Sequence, residues 1–172
     1  MIQRNISKYL DNFYKTDKKA LLLTGARQIG KTFVIREFGK KFKSFVEINF
    51  VENPSFAEAV RDAKGREDIL LKISTFTSKP LIKGETLIFL DEVQVCPEIV
   101  TAIKFLVDDG SYKYIMSGSL LGVELKDLRS EPVGYMSVKE MFPLDFEEFI
   151  RAIGIGDKVI DHLQDAWDNR IP

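Results

Sequence analysis

Eight consecutive residues near the N-terminus have the types and spacing of a phosphate-binding loop. Residues 25–32 read Gly-Ala-Arg-Gln-Ile-Gly-Lys-Thr and fit the pattern Gly-x-x-x-x-Gly-Lys-Ser/Thr in full. The glycines let backbone N–H groups turn inward and approach phosphate oxygens closely. Lys31 can reach the β- and γ-phosphates, and the Thr32 hydroxyl can ligate Mg²⁺. We therefore predict a nucleotide-binding set of Gly25, Ala26, Arg27, Gln28, Ile29, Gly30, Lys31, Thr32 and Phe33.

Two carboxylates directly follow an apolar run further along the chain. Residues 87–90 read Leu-Ile-Phe-Leu, and Asp91 and Glu92 come next. At the carboxyl end of a parallel strand, such side chains face the crevice in which ligands bind. Asp91 is predicted to hold Mg²⁺ through water, and Glu92 to polarise the water that attacks the γ-phosphate. A solvated acidic turn is the plain alternative, but the complete phosphate loop upstream favours the catalytic interpretation.

Polar side chains near the same strand ends are further candidates. Ser117 lies in a Ser-Gly-Ser segment at the tip of the next apolar strand, and its hydroxyl could contact the γ-phosphate or the attacking water. A simple turn explains that segment equally well. Gln94 could orient water or respond to the nucleotide, or else satisfy a structural hydrogen bond. The predicted catalytic residues are Glu92, Lys31 and Ser117.

The remaining reactive side chains favour structural roles. Cys96 is the only cysteine and His162 the only histidine, which excludes an intrachain disulfide and a cysteine-cluster metal site. No local pattern singles out a transition-state arginine among Arg129, Arg151 and Arg170. A solvated helix end is favoured over a nucleic-acid patch for Lys40, Lys41 and Lys43.

The overall composition excludes several classes of protein. With 45% hydrophobic and 30% charged residues, the 172-residue chain has the balance of a globular protein that can bury a core. Its net charge of −1 gives no support to a nucleic-acid or membrane-surface role. The sequence turns polar directly after Met1 and has no apolar run of membrane-spanning length. A cytoplasmic protein is therefore expected.

Short strand-like runs alternate with amphipathic helical segments along the chain. The predicted strands are 20–24, 46–50, 86–90, 112–116 and 135–141. This alternation predicts an α/β fold with a parallel sheet covered by helices on both faces. The phosphate loop then follows the first strand and opens a helix, as its chemistry requires.

The motifs also distinguish ATP-binding proteins from GTP-binding proteins. Ras-type GTPases place Asp-x-x-Gly at the acidic strand and use an Asn/Thr-Lys-x-Asp motif for guanine. Residues 91–94 read Asp-Glu-Val-Gln, and residues 78–81 read Ser-Lys-Pro-Leu without the aspartate. We therefore predict ATP, with Mg²⁺, rather than GTP.

Five segments in a fixed order resemble one known family. They are 24–32, 47–50, 89–94, 116–119 and 142–149, the last of which reads Phe-Pro-Leu-Asp-Phe-Glu-Glu-Phe. The combination resembles the prokaryotic AAA+-like ATPases of the AAA_14 group and extends over about residues 4–150. The phosphate loop alone is shared by many families, so the combination carries the resemblance.

The resemblance implies both a fold and a set of roles. It implies a P-loop NTPase whose parallel five-stranded sheet has the order 5-1-4-3-2, with ATP at the strand tips. It also implies phosphate binding by residues 25–32, Mg²⁺ binding by Thr32 and Asp91, water activation by Glu92, and γ-phosphate sensing near Ser117. Many relatives carry a basic residue after the Ser-Gly-Ser segment, whereas Tyr135 stands in that place here.

The resemblance further implies a division of the chain. Residues 1–154 are expected to form the ATPase domain, and residues 155–172 a helical extension towards a C-terminal region of the DUF4143 type. The expected partners are ATP and a C-terminal domain or protein, with a homo-oligomer left open. A switch that binds ATP without useful turnover is one alternative. A P-loop small-molecule kinase is less favoured, because it needs an acceptor pocket and a lid with several arginines.

Overall fold

The chain is described by a computed structural model that covers residues 4–119 and 134–170. Its strands are β1 (Ala20–Thr24), β2 (Ser44–Asn49), β3 (Thr86–Asp91), β4 (Lys113–Ser117) and β5 (Met136–Glu140). Its helices are α1 (Asn5–Thr16), α2 (Lys31–Gly39), α3 (Pro54–Arg61), α4 (Arg66–Phe76), α5 (Pro97–Asp109), α6 (Phe146–Ala152) and α7 (Asp157–Asp168), and a short 3₁₀ turn spans Val93–Val95. Within these residues, no helix is both long and apolar enough to cross a membrane.

The strands form one parallel sheet in the order β2-β3-β4-β1-β5. This confirms the predicted order 5-1-4-3-2, which is the same sheet named from its other edge. All of β1 is buried because it lies inside the sheet, whereas the edge strand β2 alternates buried and partly exposed positions. Since all strands run the same way, their carboxyl ends meet along one edge of the sheet.

Side chains of the central strands alternate between two hydrophobic cores. Leu22, Ile88 and Leu90 pack on the face covered by α3, α4 and α5. Leu21, Leu23 and Phe89 pack on the opposite face, against α1 and α2. Because successive side chains of a strand point to opposite faces, a strand covered on both sides must be apolar at every position. The continuous apolar runs in the sequence have this physical cause.

Local signals set the ends of several helices. Pro54 and Pro97 each occupy the first turn of a helix, where the missing N–H costs nothing. The predicted capping box at the start of α6 is confirmed: the Asp145 side chain accepts from the Glu148 amide, and the Glu148 side chain accepts from the Asp145 amide. This box fixes the first turn of α6.

Candidate active site

The phosphate loop joins β1 to α2 and depends on unusual backbone angles. Gly25 has φ of 142° and Gly30 has φ of 93°, and between them Gln28 has φ of 64°. A side chain at Gly25 would also place its Cβ 2.2 Å from the backbone carbonyl oxygen of Met141, directly after β5. The first glycine of the motif is therefore needed both for its backbone angle and for its lack of a side chain.

We expect Gly25→Ala to destabilise the chain by roughly 2 kcal/mol more than Gly65→Ala does. Gly65 is a matched control, because it has nearly the same φ, 141°, and no atom within 4 Å of the position that an alanine methyl group would occupy. Both variants carry backbone strain, and only Gly25→Ala adds the clash with Met141. Urea unfolding of the two variants measures the difference, and equal losses of stability would contradict the clash.

Lys31 is buried at the base of this loop. Its ammonium group donates to the carbonyl oxygens of Gly25 at 3.0 Å and Ala26 at 2.7 Å. Burial lowers the pKa of Lys31, and the nearby carboxylates of Glu92 and Asp91 act in the opposite direction. The loop thus encloses a cation beside its own backbone N–H groups, which is an arrangement suited to an anion.

Asp91 ends β3 and is the centre of a small polar cluster. The Thr32 hydroxyl donates to Asp91 Oδ2 at 3.2 Å, and the Asn49 amide donates to the same oxygen at 3.3 Å. The Ser117 hydroxyl donates to the other oxygen, Oδ1. Burial raises the pKa of Asp91, while the hydrogen bonds from Ser117 and Thr32 oppose that rise. Three neighbouring strand ends and the start of α2 therefore meet at one carboxylate.

The donor set around Asp91 fits a magnesium ion. Its carboxylate and the Thr32 hydroxyl supply oxygen atoms, which Mg²⁺ prefers, and they lie within hydrogen-bond distance of each other. Among residues 4–119 and 134–170, no group of three or more histidine, cysteine, aspartate or glutamate side chains forms a metal cage. The Asp91 carboxylate and the Thr32 hydroxyl suit a cation that takes its other ligands from substrate phosphates and water.

Asp91→Asn is expected to stabilise the nucleotide-free chain. Because the pKa of Asp91 is raised on folding, its contribution to stability is present at low pH and is lost as pH rises through the folded pKa. At neutral pH the ionised carboxylate therefore costs stability, and the neutral amide removes that cost. We expect the unfolding midpoint to rise, by less than the full cost of burying the charge because the amide has only one oxygen to accept the bonds that both carboxylate oxygens accept.

Asp68→Asn is the control for this experiment. Hydrogen bonds from Lys72 and the Lys64 amide lower the pKa of Asp68, so its substitution has the opposite sign. Thermal unfolding without nucleotide measures both variants. An unfolding midpoint that falls in Asp91→Asn would contradict the argument from burial.

Glu92 follows Asp91 in a strained conformation. Its φ of 59° and ψ of 45° are left-handed, which is uncommon for a residue with a side chain. It lines a cleft of about 530 Å³ together with loop residues, Asn49 and Glu52. Strain of this kind often marks residues held for function rather than for stability.

Gln94 contacts Glu92 directly. Its amide Nε2 donates to Glu92 Oε2. Its own carbonyl oxygen Oε1 is buried and has no hydrogen-bond partner among the described residues. The hydrogen bond from Nε2 to Glu92 therefore orients this side chain, although its other end stays unpaired at a cost in free energy.

The other candidate residues differ in how they face the cleft. Arg27 and Gln28 lie exposed on it, and Phe33 is half-exposed on α2. Ser117 is only 1% exposed, so its hydroxyl meets Asp91 and not the open cleft. Sequence reasoning misses Asn49 as a site residue, although a polar residue that ends a strand next to the acidic strand is a usable signal.

The other residues that the sequence singles out have structural contacts away from the cleft or lie outside the described residues. Arg151 pairs with Glu147 and Asp157, and Arg129 lies outside the described residues. Cys96 is buried, which raises its pKa to about 11 and suits a structural role. The three lysines near the end of α2 each pair with an acidic side chain, as expected of a solvated helix end: Lys40 with Glu37, Lys41 with Asp11 and Lys43 with Glu85.

A family model named AAA_14 and described as an AAA domain matches residues 17–150. The chain belongs to the AAA_14 family. The match includes the phosphate loop, Asp91 and Glu92, and it ends within α6. This AAA_14 chain is therefore a nucleotide-binding P-loop domain of an ATPase family.

Solved structures share the fold of this AAA_14 chain at low sequence identity. A Walker-type ATPase of Pyrococcus abyssi has a TM-score of 0.54 and 15% identity, with 91% of this chain and 60% of that chain covered. The Aeropyrum pernix Orc1 protein, solved in complex with DNA, has a TM-score of 0.49 and 18% identity, with 87% and 46% covered. This chain therefore spans about 60% of the length of the Pyrococcus protein. No curated protein sequence matches it.

Proposed function

We propose that this AAA_14 domain binds ATP with Mg²⁺ and hydrolyses it. One observation carries the proposal: the Thr32 hydroxyl of the phosphate loop is hydrogen-bonded to Asp91, the residue directly before Glu92. A loop for phosphates, a carboxylate for a metal and a second carboxylate facing the same cleft are thereby assembled at one edge of the sheet. These are the parts that phosphoryl transfer to water requires.

Binding of the phosphates is assigned to the loop and to α2. The helix begins at Lys31, so its positive N-terminal end and its free N–H groups are directed at the loop. We propose that the Lys31 ammonium exchanges its bonds to the Gly25 and Ala26 carbonyls for bonds to phosphate oxygens. Its burial makes that exchange favourable, because an anion compensates the buried charge better than two carbonyls do.

Thr32 and Asp91 are the residues that would hold Mg²⁺. When bound, the ion neutralises negative charge on the phosphates and so favours attack at phosphorus. Ser117 and Asn49 fix the carboxylate of Asp91 by donating hydrogen bonds to its two oxygens. In this proposal Ser117 acts on the site through its hydrogen bond to Asp91.

Activation of water is assigned to Glu92. Its carboxylate accepts the proton of the attacking water, and Gln94 orients that carboxylate through its amide. Arg27 lies on the same cleft, where its positive charge can attract the nucleotide.

We assign the use of the energy from ATP hydrolysis to a partner domain or protein. We propose that residues 1–154 form the ATPase domain and that 155–172 extend towards a C-terminal domain or protein that ATP turnover drives or gates. Support comes from α6 and α7, which expose large apolar side chains, among them Trp167 at 84% exposure. The others are Phe146 and Phe149 of α6 and Val159 and Leu163 of α7. An ATP-dependent switch in the cytoplasm without useful turnover, or a homo-oligomer, would use the same surface.

Measurements of nucleotide binding and of turnover separate the ATPase from the switch. Titration calorimetry with ATP, ADP and GTP, each with and without Mg²⁺, measures binding, and phosphate release over many turnovers measures hydrolysis. Mg²⁺-dependent ATP binding with phosphate release supports the ATPase. ATP binding without release favours the switch, and a chain that binds no nucleotide would overturn the proposal.

A further inference from the structure

A buried arginine connects three distant parts of the chain to one another. Arg4 precedes α1 and is 8% exposed. Its guanidinium donates to the carbonyl oxygen of Ile29 at 2.9 Å, to that of Phe142 at 2.7 Å, and to Glu148 Oε2 at 3.0 Å. Ile29 belongs to the phosphate loop, whereas Glu148 belongs to the first turn of α6. Arg4 itself lies outside the residues that the family model matches.

The bond to Ile29 acts on the loop through one peptide plane. The described chain has no cis peptide bond, so the carbonyl of Ile29 and the N–H of Gly30 point in opposite directions. Holding the Ile29 oxygen therefore fixes the direction of the Gly30 N–H. The residues around this peptide, Gln28 and Gly30, have left-handed backbone angles. Such angles are sparsely populated and persist only where surrounding contacts hold them.

The bond to Glu148 acts on α6. Glu148 is buried, and its carboxylate accepts from Arg4, from the backbone N–H of Asn5 at 2.6 Å and from the backbone N–H of Asp145 at 3.2 Å. The same residue thus completes the capping box of α6 and neutralises Arg4. Because removal of either partner leaves a buried charge uncompensated, the loop and the start of α6 are held in one arrangement.

We propose that Arg4 is a positioning residue that presents the Gly30 N–H to phosphate and couples the phosphate loop to α6 through Glu148. This inference rests on the proposed binding of ATP. Coupling between two sites is reciprocal, so ATP on the loop must also stabilise the first turn of α6. Binding of ATP would in this way change the stability of α6, which carries part of the exposed apolar surface of α6 and α7.

Arg4→Lys tests the proposal with the least damage to folding. Lysine keeps a positive charge opposite Glu148, but its compact ammonium lacks the planar fork that reaches Ile29, Phe142 and Glu148 together. We expect Mg-ATP to bind about tenfold more weakly, as the loss of one preorganised donor to a charged ligand implies. Calorimetry measures affinity, and circular dichroism verifies that the variant is folded.

Hydrogen exchange gives a readout that a purely structural residue would not change. In the wild-type chain, Mg-ATP is expected to slow exchange of the amides of α6 as well as those of α2. In Arg4→Lys, protection of α2 at saturating ATP is retained and protection of α6 is lost. Lys41→Met is the control, because it removes an ion pair between Asp11 of α1 and the segment after α2 without contact to the loop or to α6.

The outcomes separate this inference from the function on which it rests. A wild-type chain that binds no ATP would overturn both. A wild type that binds ATP, with equal binding and equal α6 protection in Arg4→Lys, would overturn the role of Arg4 alone. If Arg4→Lys does not fold, the wild-type exchange experiment decides, since ATP that leaves α6 unaffected contradicts the coupling.

Discussion

Glu92→Gln is expected to stop ATP turnover while leaving ATP bound. The amide keeps the size and planar shape of the carboxylate but cannot take a proton from water. General-base catalysis contributes roughly 10²–10⁴-fold to a rate. Binding survives because the phosphate loop and Asp91 are unchanged. Phosphate release over many turnovers, together with calorimetry of Mg-ATP, measures the two effects separately.

Glu98→Gln is the control for this substitution. Glu98 lies in the first turn of α5, is about half-exposed and faces Arg61 at 3.7 Å, away from the cleft. It should turn over ATP at the wild-type rate. Turnover that persists in Glu92→Gln would show that another group activates water and would remove Glu92 from the proposed mechanism.

Lys31→Met is expected to abolish measurable ATP binding. A hydrogen bond to a charged group contributes about 1.5–3 kcal/mol, and the buried ammonium can make more than one to the phosphates, so affinity should fall at least ~100-fold. Folding should persist. Burial lowers the pKa of Lys31, so the buried charge costs stability, and methionine removes that cost. This stabilisation offsets the loss of the hydrogen bonds to the Gly25 and Ala26 carbonyls. Calorimetry and thermal unfolding check both statements.

Lys40→Met provides the comparison for Lys31. Lys40 caps the far end of α2 and pairs with Glu37 at the surface. It changes the same charge on the same helix, so it accounts for any general effect of lost positive charge. Unchanged affinity in Lys31→Met, or an equal loss in Lys40→Met, would contradict the role assigned to the loop lysine.

Much of the fold follows from local patterns in the sequence. The apolar run before the phosphate loop predicts β1 at the residues where it is found, and the capping pattern at Asp145 predicts the start of α6. The fourth strand lies one residue beyond its predicted position, at Lys113–Ser117, because hydrogen bonding to β3 and β1 and not hydropathy sets its ends. The order of the strands came from the family resemblance, since parallel neighbours are joined only through distant crossovers.

The phosphate loop is determined by the sequence itself, because the backbone angle at Gly25 and its close approach to Met141 require a residue without a side chain. The partners of that loop were decided by the tertiary structure. Ser117 and Asn49 reach Asp91 only because the register of three parallel strands aligns their ends. Arg4 meets Glu148 across 144 residues, a contact made where the start of α1 lies beside the first turn of α6. Contacts of this kind depend on how separate elements are brought together and buried, and no local spacing encodes them.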